Sequence, residues 1–182
     1  MSASRESSAV RRTPGTIRIN GADRSWRPED GDLSLMEFLR EREFLLGVKN
    51  GCGIGVCGTC TVFMNGKAVK SCKVKVKEVT GEIITIEGME KPDGTLHPIQ
   101  QAFMDVGAIQ CGFCTPGMVM ASYALLQKNP EPSRIEIRRA LQGNLCRCTG
   151  YQQIVDAVEV AARRMKEPGS FTEAGCLMHR ES

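Results

Sequence analysis

The sequence predicts an α+β chain made of two small units, the first β-rich and the second helical. Three observations carry this. Apolar residues alternate at period two through Ile86, they recur at helical spacing from Ile99 onward, and Lys91-Pro92-Asp93-Gly94 forms a turn-rich joint between. The expected division is a flexible extension over 1–15, a β-rich unit over 16–90, a helical unit over 91–167 and a tail over 168–182. With 182 residues, 41% hydrophobic and 25% charged, the chain can bury a core without covalent staples.

Thr16 to Asn20 alternates and ends at Gly21, which predicts a strand entering a hairpin. Ser34-Leu35-Met36-Glu37 has the form of a capping box, opening a short helix to about Arg42. Asn65-Gly66 is the favoured pair for a type I′ turn and joins strands at 61–64 and 67–70. Lys73 to Lys77 alternates strictly, predicting a strand with a solvated lysine face, and Glu82 to Ile86 predicts another strand.

In the second half, Ile99, Ala102, Phe103 and Val106 share one helix face. Thr115-Pro116 is read as an N-cap followed by proline at the first helical position, starting a helix that runs to Lys128. Ser133 to Glu136 is a second capping box, with its helix stopping at Gly143, and Ile154 to Met165 carries the apolar stripe of a last helix. Met118 and Met120 are expected as core filler, and His97, before Pro98, as a cap or an interface contact.

Several function classes drop out. A formal charge of +3 and 5% aromatic residues give neither a basic surface nor stacking platforms for nucleic acid. No run approaches the roughly 18 apolar residues of a membrane span. Arg11-Arg12 lacks the apolar stretch of a twin-arginine signal, so the expected compartment is the cytoplasm, where cysteines serve metal or redox chemistry. The Gly-rich stretch 51–58 lacks the Gly-Lys-Ser/Thr of a phosphate loop, and no nucleophile–histidine–acid arrangement is evident.

Nine cysteines against one Trp and two Tyr are the anomaly. Cys52, Cys57 and Cys60 stand as C-x4-C-x2-C, with Cys72 downstream after the hairpin; this is the plant-type ferredoxin spacing for a [2Fe–2S] cluster. Gly51, Gly53, Gly55 and Gly58 suit a backbone that wraps a cluster and turns its N–H groups toward sulfur. Cys111-x2-Cys114 lies just before a helix start, and Cys146-x-Cys148 lies in a loop bracketed by Gly143 and Gly150. Zinc is the alternative for either set, although zinc sites usually pair two short knuckles. Cys176, near His179 in the tail, is read as a free thiol.

Gln110-Cys111-Gly112-Phe113-Cys114-Thr115-Pro116-Gly117, followed by Cys146-Arg147-Cys148-Thr149-Gly150-Tyr151, resembles the iron–sulfur subunit of xanthine-oxidase-type molybdenum hydroxylases. The resemblance covers residues 16–166, although Gly53 stands where many relatives have an acidic residue. It implies a β-grasp, plant-type ferredoxin-like domain followed by a four-helix bundle, each with one [2Fe–2S] cluster. The chain is then a non-catalytic electron-transfer subunit. Its implied partners are a large molybdopterin subunit, with the cofactor as the cytosine dinucleotide, and an FAD subunit, in an assembly such as a dimer of heterotrimers. Electrons are expected to travel from molybdenum by the Cys111 set, then by the Cys52 set, to flavin or another acceptor. The resemblance also implies that Gln110 touches the pterin. A diferric four-thiolate cluster carries about −2, so the apparent basicity disappears on loading.

Overall fold

A computed structural model describes residues 15–166. The expectations for the N-terminal extension, and for Cys176 and His179, lie outside those residues. The architecture is mixed: a five-stranded sheet and five α-helices. The first strand, β1 (Gly15–Ile19), turns at Asn20 and Gly21, both at positive φ (48° and 75°), into β2 (Ala22–Trp26). Helix α1 (Leu35–Glu41) follows, and a long loop leads from it to β3 (Thr61–Met64). Asn65 and Gly66 (φ 51° and 77°) make the tight turn into β4 (Lys67–Lys70), with β5 (Glu82–Ile84) further on. The sheet order is β2-β1-β5-β3-β4; β1 pairs with β5 in parallel and the remaining pairs are antiparallel.

Helices α2 (Pro98–Asp105), α3 (Thr115–Lys128), α4 (Arg134–Leu141) and α5 (Gln152–Lys166) follow among the described residues. None of the helices among the described residues is long and apolar enough to cross a membrane.

Side-chain alternation on the sheet separates two cores. Ile17, Ile19, Val62 and Ile83 face α1 and pack with Leu35, Phe38 and Leu39. On the opposite face, Ile84 and Phe63 meet the core built by α2 to α5, which includes Met118 and Met120. Each fully buried side chain of this kind contributes about 1.5–3 kcal/mol. One sheet therefore serves both halves.

Three expectations are corrected. Residues 73–77 form no strand; 3₁₀ turns occupy Ser71–Lys73 and Val76–Glu78, joined by a single bridge from Lys75 to Ser34. The reason is a better use of the backbone: Leu35 N donates to Val74 O at 2.7 Å and Val76 N to Leu33 O at 3.1 Å, fastening the start of α1. The lysines are exposed as expected. The N-cap of α3 is Cys114 rather than Thr115, because Met118 N donates to the Cys114 carbonyl at 3.0 Å. Strand β5 ends at Ile84 instead of Ile86, where the buried Thr85 turns so that its hydroxyl accepts from Asn20 Nδ2 at 2.9 Å and its amide donates to Asn20 Oδ1 at 2.8 Å. His97 caps α2, its Nδ1 accepting from Ile99 N at 3.2 Å.

Candidate metal centres

The loop between α1 and β3 carries three cysteines of the first set, and the turn after β4 returns the fourth. The Arg40 guanidinium donates to Val48 O at 2.7 Å, and the Glu87 carboxylate accepts from Gly47 N at 2.6 Å, fixing the loop's entrance. Inside it, Gly53, Gly55 and Gly58 have positive φ, and the chain coils around the Cys52 sulfur. That sulfur accepts from Cys57 N at 3.4 Å and from the amides of Ile54 and Val56, which pull its pKa down to about 6. Cys60 is buried at the start of β3; Ser71 N and Oγ both donate to its carbonyl, which holds Cys72 beside it. Burial, and then contact with Cys60, pushes the Cys72 thiol up to about 11.

The second set meets only through packing. Cys111 and Cys114 precede α3, whereas Cys146 and Cys148 sit in the loop between α4 and α5. Cys148 Sγ lies 3.6 Å from Cys111 Sγ, and the Cys114 and Cys146 thiols touch. Burial, then Cys146, raises Cys114 to about 12. Burial pushes Cys146 upward, but the Thr149 hydroxyl at 3.1 Å and amide at 3.4 Å, together with the Cys148 amide and the Cys114 thiol, outweigh it and leave the thiol lowered. Contact with Cys111 raises Cys148. Cys111 and Cys148 are exposed, as is Gln110 beside them.

A seam of short contacts brings the two sets together. Leu145 N donates to Cys57 O at 2.8 Å, tying the residue before Cys146 to a cysteine of the first set. The buried Asn144 donates from Nδ2 to Gly58 O at 2.9 Å and to Thr61 Oγ1 at 3.2 Å. The backbones approach so closely that a Cβ on Gly58 would lie 2.4 Å from Gly143 O, and one on Gly117 would lie 2.3 Å from Gly58 O. Asn144, Thr59 and Glu87 were not singled out in the sequence, and Thr149 entered only as part of the Cys146–Tyr151 motif, with no role assigned. Their only visible signal is position, since Thr59 and Thr149 each follow a cysteine closely.

The donor chemistry fits a four-thiolate diiron cluster at each set. All eight residues offer soft sulfur, and the sulfurs contact one another in pairs. Amides and hydroxyls converge on them as hydrogen-bond donors that stabilise negative charge on sulfur.

Comparisons with known proteins agree. Residues 32–95 match the family model of a 2Fe-2S iron-sulfur cluster binding domain, and residues 85–159 match that of a [2Fe-2S] binding domain. The chain is 46% identical over 143 residues to the nicotine 6-hydroxylase small subunit of Paenarthrobacter nicotinovorans, covering 78% of this chain and 85% of that one. It is 54% identical over 127 residues to the xanthine dehydrogenase iron-sulfur-binding subunit of Escherichia coli O157:H7, covering 68% and 79%. Among solved structures, quinoline 2-oxidoreductase from Pseudomonas putida 86 aligns with TM-score 0.78 and 37% identity, over 87% of this chain and 98% of that one. The aldehyde oxidoreductase of Desulfovibrio desulfuricans aligns with TM-score 0.79 and 42% identity, over 90% of this chain; the match spans only 18% of that longer chain. With two cysteine sets, one sheet and this degree of identity, the chain belongs to the iron–sulfur small-subunit family of xanthine-dehydrogenase-type molybdenum hydroxylases, whose role in those oxidoreductases is electron transfer through [2Fe–2S] clusters.

Proposed function

We propose that Cys52, Cys57, Cys60 and Cys72 hold one [2Fe–2S] cluster, that Cys111, Cys114, Cys146 and Cys148 hold the other, and that the chain relays electrons within a molybdenum hydroxylase. A bound cluster supplies one-electron redox chemistry. The protein's own residues keep the eight sulfurs fixed, aim amides at them and hold the two sets at constant separation. The observation that carries this reading is the grouping of eight cysteines into two four-sulfur sets, linked where Leu145 N donates to Cys57 O.

In this reading, residues 16–90 are a ferredoxin-like β-grasp domain and residues 91–167 a four-helix bundle; the sheet order and the shared core of α2 to α5 support it. The exposed face at Gln110, Cys111 and Cys148 meets a large molybdopterin subunit, and the Gln110 carboxamide, both donor and acceptor, suits a pterin edge. The cofactor is the cytosine dinucleotide, and an FAD subunit takes electrons from the Cys52 side. The complex is a higher-order heteromer, such as a dimer of heterotrimers, in the reducing cytoplasm.

The test is EPR of the dithionite-reduced complex together with iron analysis. Two separable [2Fe–2S] signals are expected, with Cys57→Ser perturbing one and Cys114→Ser the other. Colourless zinc-loaded protein, or only two irons in the fully loaded chain, overturns the reading.

A further inference from the structure

The loop carrying Cys146 and Cys148 is closed by a ring of hydrogen bonds. Cys146 N donates to Tyr151 Oη at 2.9 Å, and Tyr151 N donates to Thr149 Oγ1 at 3.3 Å. Thr149 then returns to the start of the loop, with its amide 3.4 Å and its hydroxyl 3.1 Å from Cys146 Sγ. Tyr151 sits at φ +70°, a left-handed conformation that disfavours any residue with a Cβ. Such strain persists where surrounding contacts impose it, and here it aims Tyr151 N at the threonine while its ring reaches back to Cys146.

Proton counting fixes the direction of the last contact. The Thr149 oxygen already accepts from Tyr151 N, and its single hydrogen remains to be donated. A sulfur bound to metal carries no proton, so at 3.1 Å it can only accept. The residue is buried, which limits the access of water to the hydroxyl. Thr59 makes the contrast. Its hydroxyl lies 3.2 Å from Cys57 Sγ, but the Lys49 carbonyl claims the proton at 3.1 Å.

We propose that Thr149 raises the reduction potential of the Cys111–Cys148 centre by donating its hydroxyl hydrogen to Cys146 Sγ, with Tyr151 as the positioning residue, and that Thr59 exerts no comparable pull on the other centre. The proposal rests on the reading that Cys146 is a cluster ligand. Reduction adds one negative charge, shared with the sulfurs, and a hydrogen bond to sulfur strengthens as that charge grows. The reduced state is thereby favoured.

The experiment is a redox titration of the assembled complex, followed by EPR at each centre. Thr149→Val, close in shape but without the hydroxyl, is expected to shift the second centre's one-electron equilibrium about tenfold toward the oxidised form, or ~59 mV more negative. Thr149→Ser keeps the donor and is expected to titrate with wild type, and the first centre serves as an unchanged internal control. Thr59→Val is expected to move the first centre by less than the Thr149→Val shift. An unmoved second potential in Thr149→Val, or an equal shift in Thr149→Ser, overturns the proposal. Thr149→Ala repeats the deletion without the branched side chain, and failure of both deletions to load iron assigns the threonine a structural role and also overturns it. A separate arm isolates the underlying reading: if Cys146→Ser keeps full iron and both signals, the ligand assignment is what has failed.

Discussion

Cys52, Cys57 and Cys60 lie on one continuous loop, and a hairpin of two four-residue strands brings Cys72 to it. Cys111, Cys114, Cys146 and Cys148 come from two distant segments that meet because α3, α4 and α5 pack around a common core. The first set is organised by its own backbone, with three amides on the Cys52 sulfur. The second is organised by side chains, Thr149 and Tyr151 above all. Exposure follows the same division: Cys60 is buried in the first set, whereas Cys111 and Cys148 of the second lie open. The first set therefore depends mainly on its own loop, whereas a set assembled by packing depends on the whole second core. The first set also leans on the second, through Gly58 and Cys57.

The largest expected effect comes from wedging that seam. Gly58 has φ +72°, and its neighbours on the far side are the Gly143 carbonyl and the Asn144 amide. Backbone cannot swing aside as a lysine tip can. Gly58→Val therefore adds left-handed strain to a backbone clash and is expected to destabilise the loaded chain by roughly 3 kcal/mol or more. In urea that lowers the unfolding midpoint by about 1–2 M. Loss of the second EPR signal along with the first would show that the two sets stand or fall together; an unchanged midpoint would mean that the seam is slack.

How much of this was legible in the sequence follows the same division. The first set's loop was readable because its determinants are local: cysteine spacing, glycines where φ is positive, and an Asn-Gly turn. The helices of the second half were readable from apolar period and capping residues, as Ser133 and Glu136 illustrate. The seam was not. Asn144 is one polar residue among many, and nothing near it in sequence shows that Gly58 and Thr61 will be its partners. The failed strand at Lys73–Lys77 has a related cause. Alternation states which side chains face water, and the lysines do, but the backbone partners at Leu33 and Leu35 are tertiary facts.

The second prediction tests another contact between the sheet and the helical half. His97 is buried, its ring 5.5 Å from that of Tyr123, which in turn meets Phe63 of β3 edge-on at 4.9 Å. Burial lowers the His97 pKa from 6.5 to about 4. The unfolded chain then binds a proton that the folded chain refuses between those two values, so stability is complete above pH 6.5 and falls as pH drops toward 4. The full loss is about 3 kcal/mol. His97→Asn keeps an N-cap acceptor for Ile99 N but cannot titrate, and it should flatten the slope of urea midpoint against pH relative to wild type. Parallel slopes for the two proteins would mean that the site opens readily enough to hydrate the imidazolium.

The smallest effect compares two capping boxes of the same design, one on each side of the molecule. At α1, Ser34 Oγ accepts from Glu37 N at 3.2 Å while Glu37 Oε2 accepts from Ser34 N at 2.9 Å. At α4, Ser133 Oγ accepts from Glu136 N at 3.3 Å and Glu136 Oε2 from Ser133 N at 2.8 Å. The difference lies in the surroundings. Ser34 is half-buried and also pairs with Lys75, whereas Ser133 is exposed and water can replace its hydroxyl. Ser34→Ala is expected to cost about 1–2 kcal/mol and Ser133→Ala about 0.5–1 kcal/mol, both within the usual range for a lost N-cap. The order matters more than the size. Helix α1 forms one wall of the core beneath the first loop, so fraying its start should also speed iron loss from the Cys52 centre when the complex is challenged with a chelator. Fraying α4 should leave that rate alone and act, weakly, on the Cys146 centre. If Ser133→Ala proved the costlier change, or if both variants bled iron from the same centre, the contrast between a locally built set and a packing-built set would have to be abandoned.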